Sequence, residues 1–291
     1  MTARGENSAR PPGLPQPQTV EGRAGLVALL ANPTRALIAL DFDGTLAPIV
    51  EDPAAARATA VASGAVRQLA GLVSVVAIIT GRPAADAAEF AGVADVPNVT
   101  VLGHYGRQRW ERGRLSSPAL PPGLAVARAS LPTVLASAGA DAGTWIEDKG
   151  EAVAVHTRRA AEPVAELDRL RAPLAELASR TGLALEPGRL VLELRPPGAD
   201  KGAALRELVR ERAPAAILFC GDDLGDRPAF EFVRHLRAED GTPGLLVASG
   251  SAETPEDITA AADLVVHGPS GVAELLAGLA AEFAAAKRED G

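Results

Sequence analysis

Cysteines, lysines and aromatic residues are scarce in this chain of 291 residues, and the shortages narrow its possible classes. A single cysteine, Cys220, excludes an intramolecular disulfide. The net charge of −8, without any block of basic residues, argues against general nucleic-acid binding. Residues 1–18 have no apolar core, so they fit neither a signal peptide nor a membrane span. We therefore predict a soluble cytoplasmic protein with a disordered leader over residues 1–25.

Lysine is the most informative shortage. Of the 29 basic residues, only Lys149, Lys201 and Lys287 are lysines. An ammonium is a compact point charge, whereas a guanidinium is a planar fork, so a lysine kept in an arginine-rich chain indicates a task that arginine cannot perform. Lys287 lies in the polar tail, where chance explains it. Lys149 and Lys201 have motif-like surroundings and are candidate functional residues.

Apolar runs of strand length are plentiful and alternate with helical patterns. This alternation predicts a parallel sheet covered on both faces. Two proline-rich breaks, at 116–123 and 195–198, enclose a middle part that reads as two helices and short alternating strands. We predict a Rossmann-like α/β core, discontinuous over residues 26–117 and 197–291, with an inserted α+β cap over 118–196. The proline-rich breaks would act as hinges for closure of the cap.

Two carboxylates follow the first apolar run at its carboxyl end. Residues 36–40 lead directly into Asp-Phe-Asp-Gly-Thr, with the acids at Asp41 and Asp43. Open α/β sheets build their sites at this end of the strands. Acids so close repel one another unless a cation, a shared proton or a reaction intermediate uses them. A strand that merely stops at a polar turn leaves the second aspartate unexplained.

Three further segments place polar groups at strand ends or helix starts. They are Thr80-Gly81-Arg82, Asp200-Lys201-Gly202, and the acidic turn at 220–226 that contains Asp222, Asp223 and Asp226. The first is a natural cradle for anionic oxygens, and the second would hold one ammonium near the sheet edge. The plain alternatives are a common turn, a helix N-cap with a solvated lysine, and a solvated acidic turn.

The acids of the first and last segments suit a hard divalent cation. Magnesium is usually held by one or two carboxylates together with water and substrate phosphate. Asp41 and Asp43 from one strand, with Asp222 from another, could supply such a site.

In their order along the chain, these segments resemble the four motifs of the haloacid dehalogenase superfamily of phosphatases. Within it, residues 41–49, 147–158 and 191–202 are similar to the trehalose-6-phosphate phosphatase family. The resemblance covers the whole chain after the leader. One departure is visible: the family usually reads Gly-x-His-Gly, but this chain has Gly-His-Tyr-Gly at 103–106. The role of that histidine would pass to Tyr105 or to the shifted His104.

The resemblance implies a hydrolase core and roles for the acids. Asp41 would be the nucleophile that forms an aspartyl-phosphate, and Asp43 the general acid and base. Mg²⁺ would be held by Asp41, the backbone carbonyl of Asp43, and Asp222.

The remaining core motifs receive supporting roles from the same resemblance. Thr80 and Lys201 would stabilise charge on the transferring oxygens. Asp223 and Asp226 would orient Lys201 or a metal-bound water.

Substrate recognition is expected mainly in the cap, where Glu147, Lys149 and Glu193 would bind the sugar. The alternative for these residues is a surface ion pair of little energetic worth. Arg82 would contact phosphate or simply close its turn. The default expectation for His156 and Arg158 is that they belong to a solvated basic face of the cap. The further candidates for substrate binding are Thr45, Gly81, Arg82, His104, Tyr105 and Arg158.

The implied activity is Mg²⁺-dependent hydrolysis of trehalose 6-phosphate to trehalose and phosphate. Sucrose phosphate or glucosylglycerol phosphate would use the same chemistry with a different cap. A non-catalytic sugar-phosphate sensor is the alternative from another class, but it would be expected to have lost Asp41 or Asp43. We expect a monomer that binds a small molecule and could associate with the trehalose-phosphate synthase.

Overall fold

A computed structural model describes residues 13–289, except Glu51, Arg189 and Glu253. The strands in chain order are β1 (Ala36–Leu40), β2 (Val75–Ile79), β3 (Val99–Gly103), β4 (Gln108–Glu111), β5 (Arg114–Ser116), β6 (Trp145–Asp148), β7 (Val153–His156), β8 (Ala184–Gly188), β9 (Val191–Arg195), β10 (Ala216–Gly221), β11 (Gly244–Gly250) and β12 (Leu264–His267). The α-helices are α1 (Val20–Ala31), α2 (Ala60–Ala70), α3 (Ala84–Phe90), α4 (Pro122–Ser137), α5 (Pro163–Thr181), α6 (Lys201–Arg212), α7 (Arg227–Glu239), α8 (Glu256–Ala261) and α9 (Gly268–Glu289).

The main sheet has eight strands in the order β12-β11-β10-β1-β2-β3-β4-β5. The six strands from β12 to β3 are mutually parallel, as the alternation of strands and helices predicts. Strand β1 lies between β2 and β10, and all five of its residues are buried. The carboxyl ends of these strands therefore meet at one edge of the sheet.

At its far edge the parallel sheet is continued by an antiparallel hairpin that the sequence pattern did not predict. Strands β4 and β5 form a hairpin that continues the sheet antiparallel beyond β3. Its turn residues, Arg112 and Gly113, have φ of 52° and 74°, the conformation of a tight hairpin turn. No apolar run marks this hairpin, because residues 108–111 are only half-buried and mostly polar.

Apolar side chains cover the main sheet on both faces, as a buried parallel sheet requires. Helices α1, α2, α3 and α9 pack on one face, and α6, α7 and α8 pack on the other. Alternate residues of strand β1 face opposite sides of the sheet. Ile38 and Leu40 pack toward α1, α2, α3 and α9, while Leu37 and Ala39 pack toward α6, α7 and α8. The Rossmann-like core is confirmed.

A second, antiparallel sheet in the order β6-β7-β9-β8 occupies the middle of the chain. Helices α4 and α5 cover one of its faces through a separate apolar cluster. This architecture fits the expected cap. We propose residues 118–196 as its limits, with residues 26–117 and 197–291 as the core. The proposed first hinge is shorter than the proline-rich break, because Pro122 already lies in the first turn of α4.

The expected disordered leader is too long, because α1 begins at Val20. Residues 1–12 lie outside the described residues. The side chain of Thr19 caps α1 by accepting a hydrogen bond from Gly22 N at 2.9 Å. A Cβ at Gly25 would lie 1.9 Å from the carbonyl oxygen of Gly244, so the helix packs directly on the backbone of β11. We therefore add α1 to the proposed core.

Among the described residues, no helix combines the length and apolarity needed to cross a membrane.

The close approach of α1 to β11 predicts opposite effects for two glycine-to-alanine changes. Gly25→Ala forces α1 from the sheet and should lower the free energy of unfolding by about 1–3 kcal/mol. Gly64, in α2, has open space around its Cβ position, so Gly64→Ala should raise stability by up to about 1 kcal/mol. Urea unfolding of both variants measures this. Equal stability of the two would contradict the packing of α1.

Candidate active site

The predicted core motifs converge at the carboxyl edge of the main sheet. Asp41 directly follows β1, Thr80 follows β2 and Asp222 follows β10. Lys201 is the first residue of α6, whose start is capped by the side chain of Asp200 accepting from Ala203 N at 2.7 Å. The sheet topology thus brings together segments that are far apart in the sequence.

The central contact is an ammonium between two buried carboxylates. Lys201 Nζ donates to Asp41 Oδ1 at 2.5 Å and to Asp226 Oδ1 at 2.7 Å. The other oxygen of Asp226 accepts from the backbone N–H groups of Asp222 at 2.9 Å and Asp223 at 3.1 Å. Asp226 therefore fixes both the lysine and the acidic turn. The side chain of Asp223 accepts from Gly225 N and caps the short helical turn 224–226.

The site carries more negative charge than its lysine balances. Burial raises the pKa of Asp41 well above its ordinary value, although Lys201 opposes this rise and Asp226 adds to it. Burial, with Asp226 and Asp223, raises the pKa of Asp222 to about 7. Burial alone would lower the pKa of Lys201, but Asp226 and Asp41 raise it well above its ordinary value. An additional cation would relieve this repulsion.

The residues fit a hard divalent cation. Carboxylate oxygens of Asp41, Asp222 and Asp226 lie within 4.8 Å of one another. Asp226 already uses both oxygens within the protein, whereas the buried Oδ1 of Asp222 has no hydrogen-bond partner among the described residues. Asp41 and Asp222 are therefore the side chains with free coordinating capacity. Gly44, at φ 75°, permits the close approach, because a Cβ there would lie 2.0 Å from Asp222 Oδ2.

Ser249, which the sequence analysis missed, steadies this turn. Its buried hydroxyl, near the carboxyl end of β11, donates to the carbonyl of Gly44 at 2.6 Å. A polar residue at the end of an apolar run was the signal that located the acids, and the same rule applied to β11 would have found it.

Asp43 stands apart from the buried cluster and pairs with Arg82. The guanidinium donates two hydrogen bonds to its carboxylate, at 2.6 and 2.7 Å, and a third to the carbonyl of Pro53 at 2.7 Å. The side chain of Asp43 is 41% exposed. Arg82 thus orients the second acid of the first motif.

The turn after β2 is braced by the turn after β3. Tyr105 N donates to the carbonyl of Thr80, and His104 N to the carbonyl of Arg82, both at 2.9 Å. A Cβ on Gly81 would lie 2.7 Å from the hydroxyl of Tyr105, so this ring packs against the predicted phosphate cradle. Thr45, the last residue of the Asp-Phe-Asp-Gly-Thr motif, has a buried hydroxyl without a hydrogen-bond partner among the residues described.

One face of the cap sheet carries the amino acids that are predicted to bind the sugar. Ala154 of β7 pairs with Glu147 on one side and Glu193 on the other, so both carboxylates lie on the same face. Lys149 Nζ donates to Glu193 at 2.6 Å, and this ion pair is largely buried. Glu147 Oε2 instead lies 2.7 Å from Nε2 of His156.

Two cap predictions receive different outcomes. His156, the last residue of β7, stacks on Trp145 of the neighbouring strand with ring centroids 4.5 Å apart. This stacking fixes the imidazole ring, which in turn orients Glu147. Arg158 is exposed beyond the end of β7, and the described residues give it no hydrogen bond or ion pair. Its role in binding therefore stays a prediction.

The trehalose-phosphatase family model matches residues 39–262, more than half of the chain. The chain belongs to the trehalose-phosphatase family. It is 33% identical over 261 residues to the trehalose-phosphate phosphatase of Mycobacterium marinum, covering 86% of this chain and 62% of that protein. The chain thus spans less than two thirds of the length of the curated relatives that it matches first.

Solved structures of trehalose-6-phosphate phosphatases share the fold. The C-terminal domain from C. albicans has a TM-score of 0.70 at 23% identity, covering 93% of this chain and 99% of that one. The Aspergillus fumigatus protein has a TM-score of 0.65 at 23% identity, covering 92% and 99%. A haloacid dehalogenase-like hydrolase from Bacteroides thetaiotaomicron is also similar in fold.

The raised pKa values predict a pH-dependent effect of Mg²⁺ on stability. A carboxyl whose pKa is raised on folding binds more protons in the folded state than in the unfolded state. In the presence of a chelator that removes metal ions, the free energy of unfolding should therefore fall as the pH rises from about 4 to about 7. Mg²⁺ prefers the ionised carboxylates, so it should raise the Tm more at about pH 7.5 than at about pH 5. Differential scanning calorimetry measures both.

Asp222→Asn is the matched control for that experiment. It should abolish most of the Mg²⁺-dependent rise in Tm at the higher pH, because it removes one of the two free carboxylates. If Mg²⁺ raised the Tm equally at both pH values, or equally in the variant, the assignment of Asp41 and Asp222 as metal ligands would be contradicted.

Proposed function

We propose that this chain hydrolyses trehalose 6-phosphate to trehalose and phosphate with Mg²⁺ as cofactor. The observation that carries this proposal is the buried Lys201 ammonium between Asp41 and Asp226, with an unpartnered Asp222 oxygen beside it, in a member of the trehalose-phosphatase family. The relatives named above are trehalose-phosphate phosphatases, which supports the substrate.

The first step is transfer of the phosphoryl group to Asp41. A carboxylate oxygen of Asp41 attacks phosphorus, and the bond from phosphorus to the sugar oxygen breaks. Asp43 gives the departing oxygen a proton, and Arg82 holds its carboxylate in one orientation. Lys201 and Thr80 stabilise the negative charge on the phosphoryl oxygens.

The second step frees the enzyme. Water attacks the aspartyl-phosphate at phosphorus and loses its proton to Asp43, which regenerates Asp41 and releases phosphate. Asp226 and Asp223 keep Lys201 and the acidic turn in place. Mg²⁺, held by Asp41, the backbone carbonyl of Asp43, and Asp222, would weaken the repulsion between the nucleophile and the phosphate.

The cap supplies specificity. The Lys149–Glu193 pair and Glu147 present charged hydrogen-bonding groups on the cap face, and a disaccharide offers many hydroxyls to such groups. Thr45, Gly81 and the turn with His104 and Tyr105 would line the phosphate side. The predicted cytoplasmic location, monomeric state and association with a synthase stay predictions.

The test of the chemistry is phosphate release from a panel of sugar phosphates, with Mg²⁺ and with a chelator. Asp41→Asn should lower release by at least about 1000-fold, because it removes the nucleophile. Asp240→Asn, an exposed acid after α7, should match the unchanged protein. Activity that persists in Asp41→Asn would overturn the mechanism. No release from any sugar phosphate would favour a sensor.

The test of the substrate uses the cap residues. Lys149→Met and Glu193→Gln should each lower kcat/KM for trehalose 6-phosphate by about ten- to a hundred-fold, because each removes a charged hydrogen bond. Glu176→Gln, on α5 at the other face of the cap sheet, is the control. Similar rates on sucrose phosphate and trehalose 6-phosphate, insensitive to these changes, would exclude the cap assignment.

A further inference from the structure

Glu151, in the turn between β6 and β7, is a buried acid that the mechanism leaves unused. Its side chain is 5% exposed although its turn lies between two strands of the cap sheet. Its Oε2 accepts from Arg107 Nε at 2.8 Å, and its Oε1 accepts from the hydroxyl of Ser117. Arg107 and Ser117 both belong to the proposed core, and Ser117 is its last residue before the cap. Glu151 therefore fastens the cap to the core.

The core end of this contact is tied to the predicted phosphate cradle, residues 80–82. Arg107 ends the turn in which His104 and Tyr105 donate their backbone N–H groups to Arg82 and Thr80. His104 and Tyr105 have φ of 47° and 58°, a conformation that L-residues adopt only at a cost. The surrounding contacts therefore hold the turn in one shape. The position of Arg107 follows that of the cradle.

The cap end of the Glu151–Arg107 contact is tied to the residues that are predicted to bind the sugar. Lys149, two residues before Glu151, donates its backbone N–H to Ala152 at 3.0 Å, which closes the turn. Arg128 of α4 holds the same turn through the carboxylate of Asp148 at 2.8 Å. The position of Glu151 therefore sets where the Lys149–Glu193 pair stands.

Between these two ends the side chains of core and cap pack closely and leave no room for a water molecule. His104 and Tyr105 take part from the core, and Glu193 and Arg195 take part from the cap. The guanidinium of Arg195 lies 4.0 Å above the ring of Tyr105, and the part of the chain that the structure describes gives the buried Nε2 of His104 no hydrogen-bond partner.

We propose that Glu151 is a positioning residue that determines substrate preference. Through Arg107 and Ser117 it fixes the distance between the phosphate cradle and the Lys149–Glu193 pair. This distance favours a phosphorylated disaccharide, which reaches both, over a small aryl phosphate, which reaches only the cradle. The inference rests on the proposed function.

The test compares kcat/KM for trehalose 6-phosphate and p-nitrophenyl phosphate in Glu151→Gln and Glu151→Ala. The preference for the disaccharide phosphate should fall by at least about tenfold in each, mainly through KM, because small displacements of binding groups are costly. Glu211→Gln is the matched control, since its ion pair with Arg109, at 2.6 Å, lies within the core. Thermal unfolding checks that each variant is folded.

A charge exchange provides the rescue. Arg107→Glu with Glu151→Arg should recover much of the preference that either single change removes. An unchanged preference in both Glu151 variants, equal losses on both substrates, or no recovery in a folded double variant would overturn the inference alone. A wild-type protein without activity on trehalose 6-phosphate would overturn the proposed function first, and the inference with it.

Discussion

The burial of one ammonium between two carboxylates is the constraint on which the site depends. Lys201, Asp41 and Asp226 are each at most 4% exposed, and removing the lysine would leave two buried carboxylates without a compensating charge. Because the three residues come from the start of α6, the end of β1 and the turn after β10, the contact also fixes these elements relative to one another. The same charge imbalance that raises the pKa of Asp222 prepares the edge for a cation.

Chemistry and recognition are divided between two sheets. The parallel sheet brings the acids and the lysine to one edge, whereas the antiparallel sheet presents the Lys149–Glu193 pair and Glu147 on one face. The turn at 104–107 links them, because its backbone hydrogen-bonds to the segment around Thr80 and its last residue, Arg107, pairs with Glu151. Under the proposed function, this division lets the cap change the substrate while the core keeps the reaction.

Local patterns predicted the core of this arrangement well. The apolar run before Asp41 and the one before the 220–226 turn are buried strands, and the two helices predicted between the proline-rich breaks are α4 and α5. The misses depend on partners distant in sequence. Helix α1 exists because Gly25 fits against Gly244, and its own pattern is weak. Similarly, neither the pairing of Arg82 with Asp43 nor that of Arg107 with Glu151 leaves a periodic signal in the chain.

The most direct test of the account is to trap the covalent intermediate. In Asp43→Asn, p-nitrophenyl phosphate should still phosphorylate the enzyme, because nitrophenolate leaves without a proton, while hydrolysis slows for lack of a general base. Acid quenching and peptide mass spectrometry should then locate one phosphoryl group on Asp41. A phosphoryl group on another residue, or release of nitrophenolate without any protein-bound phosphate, would contradict the account.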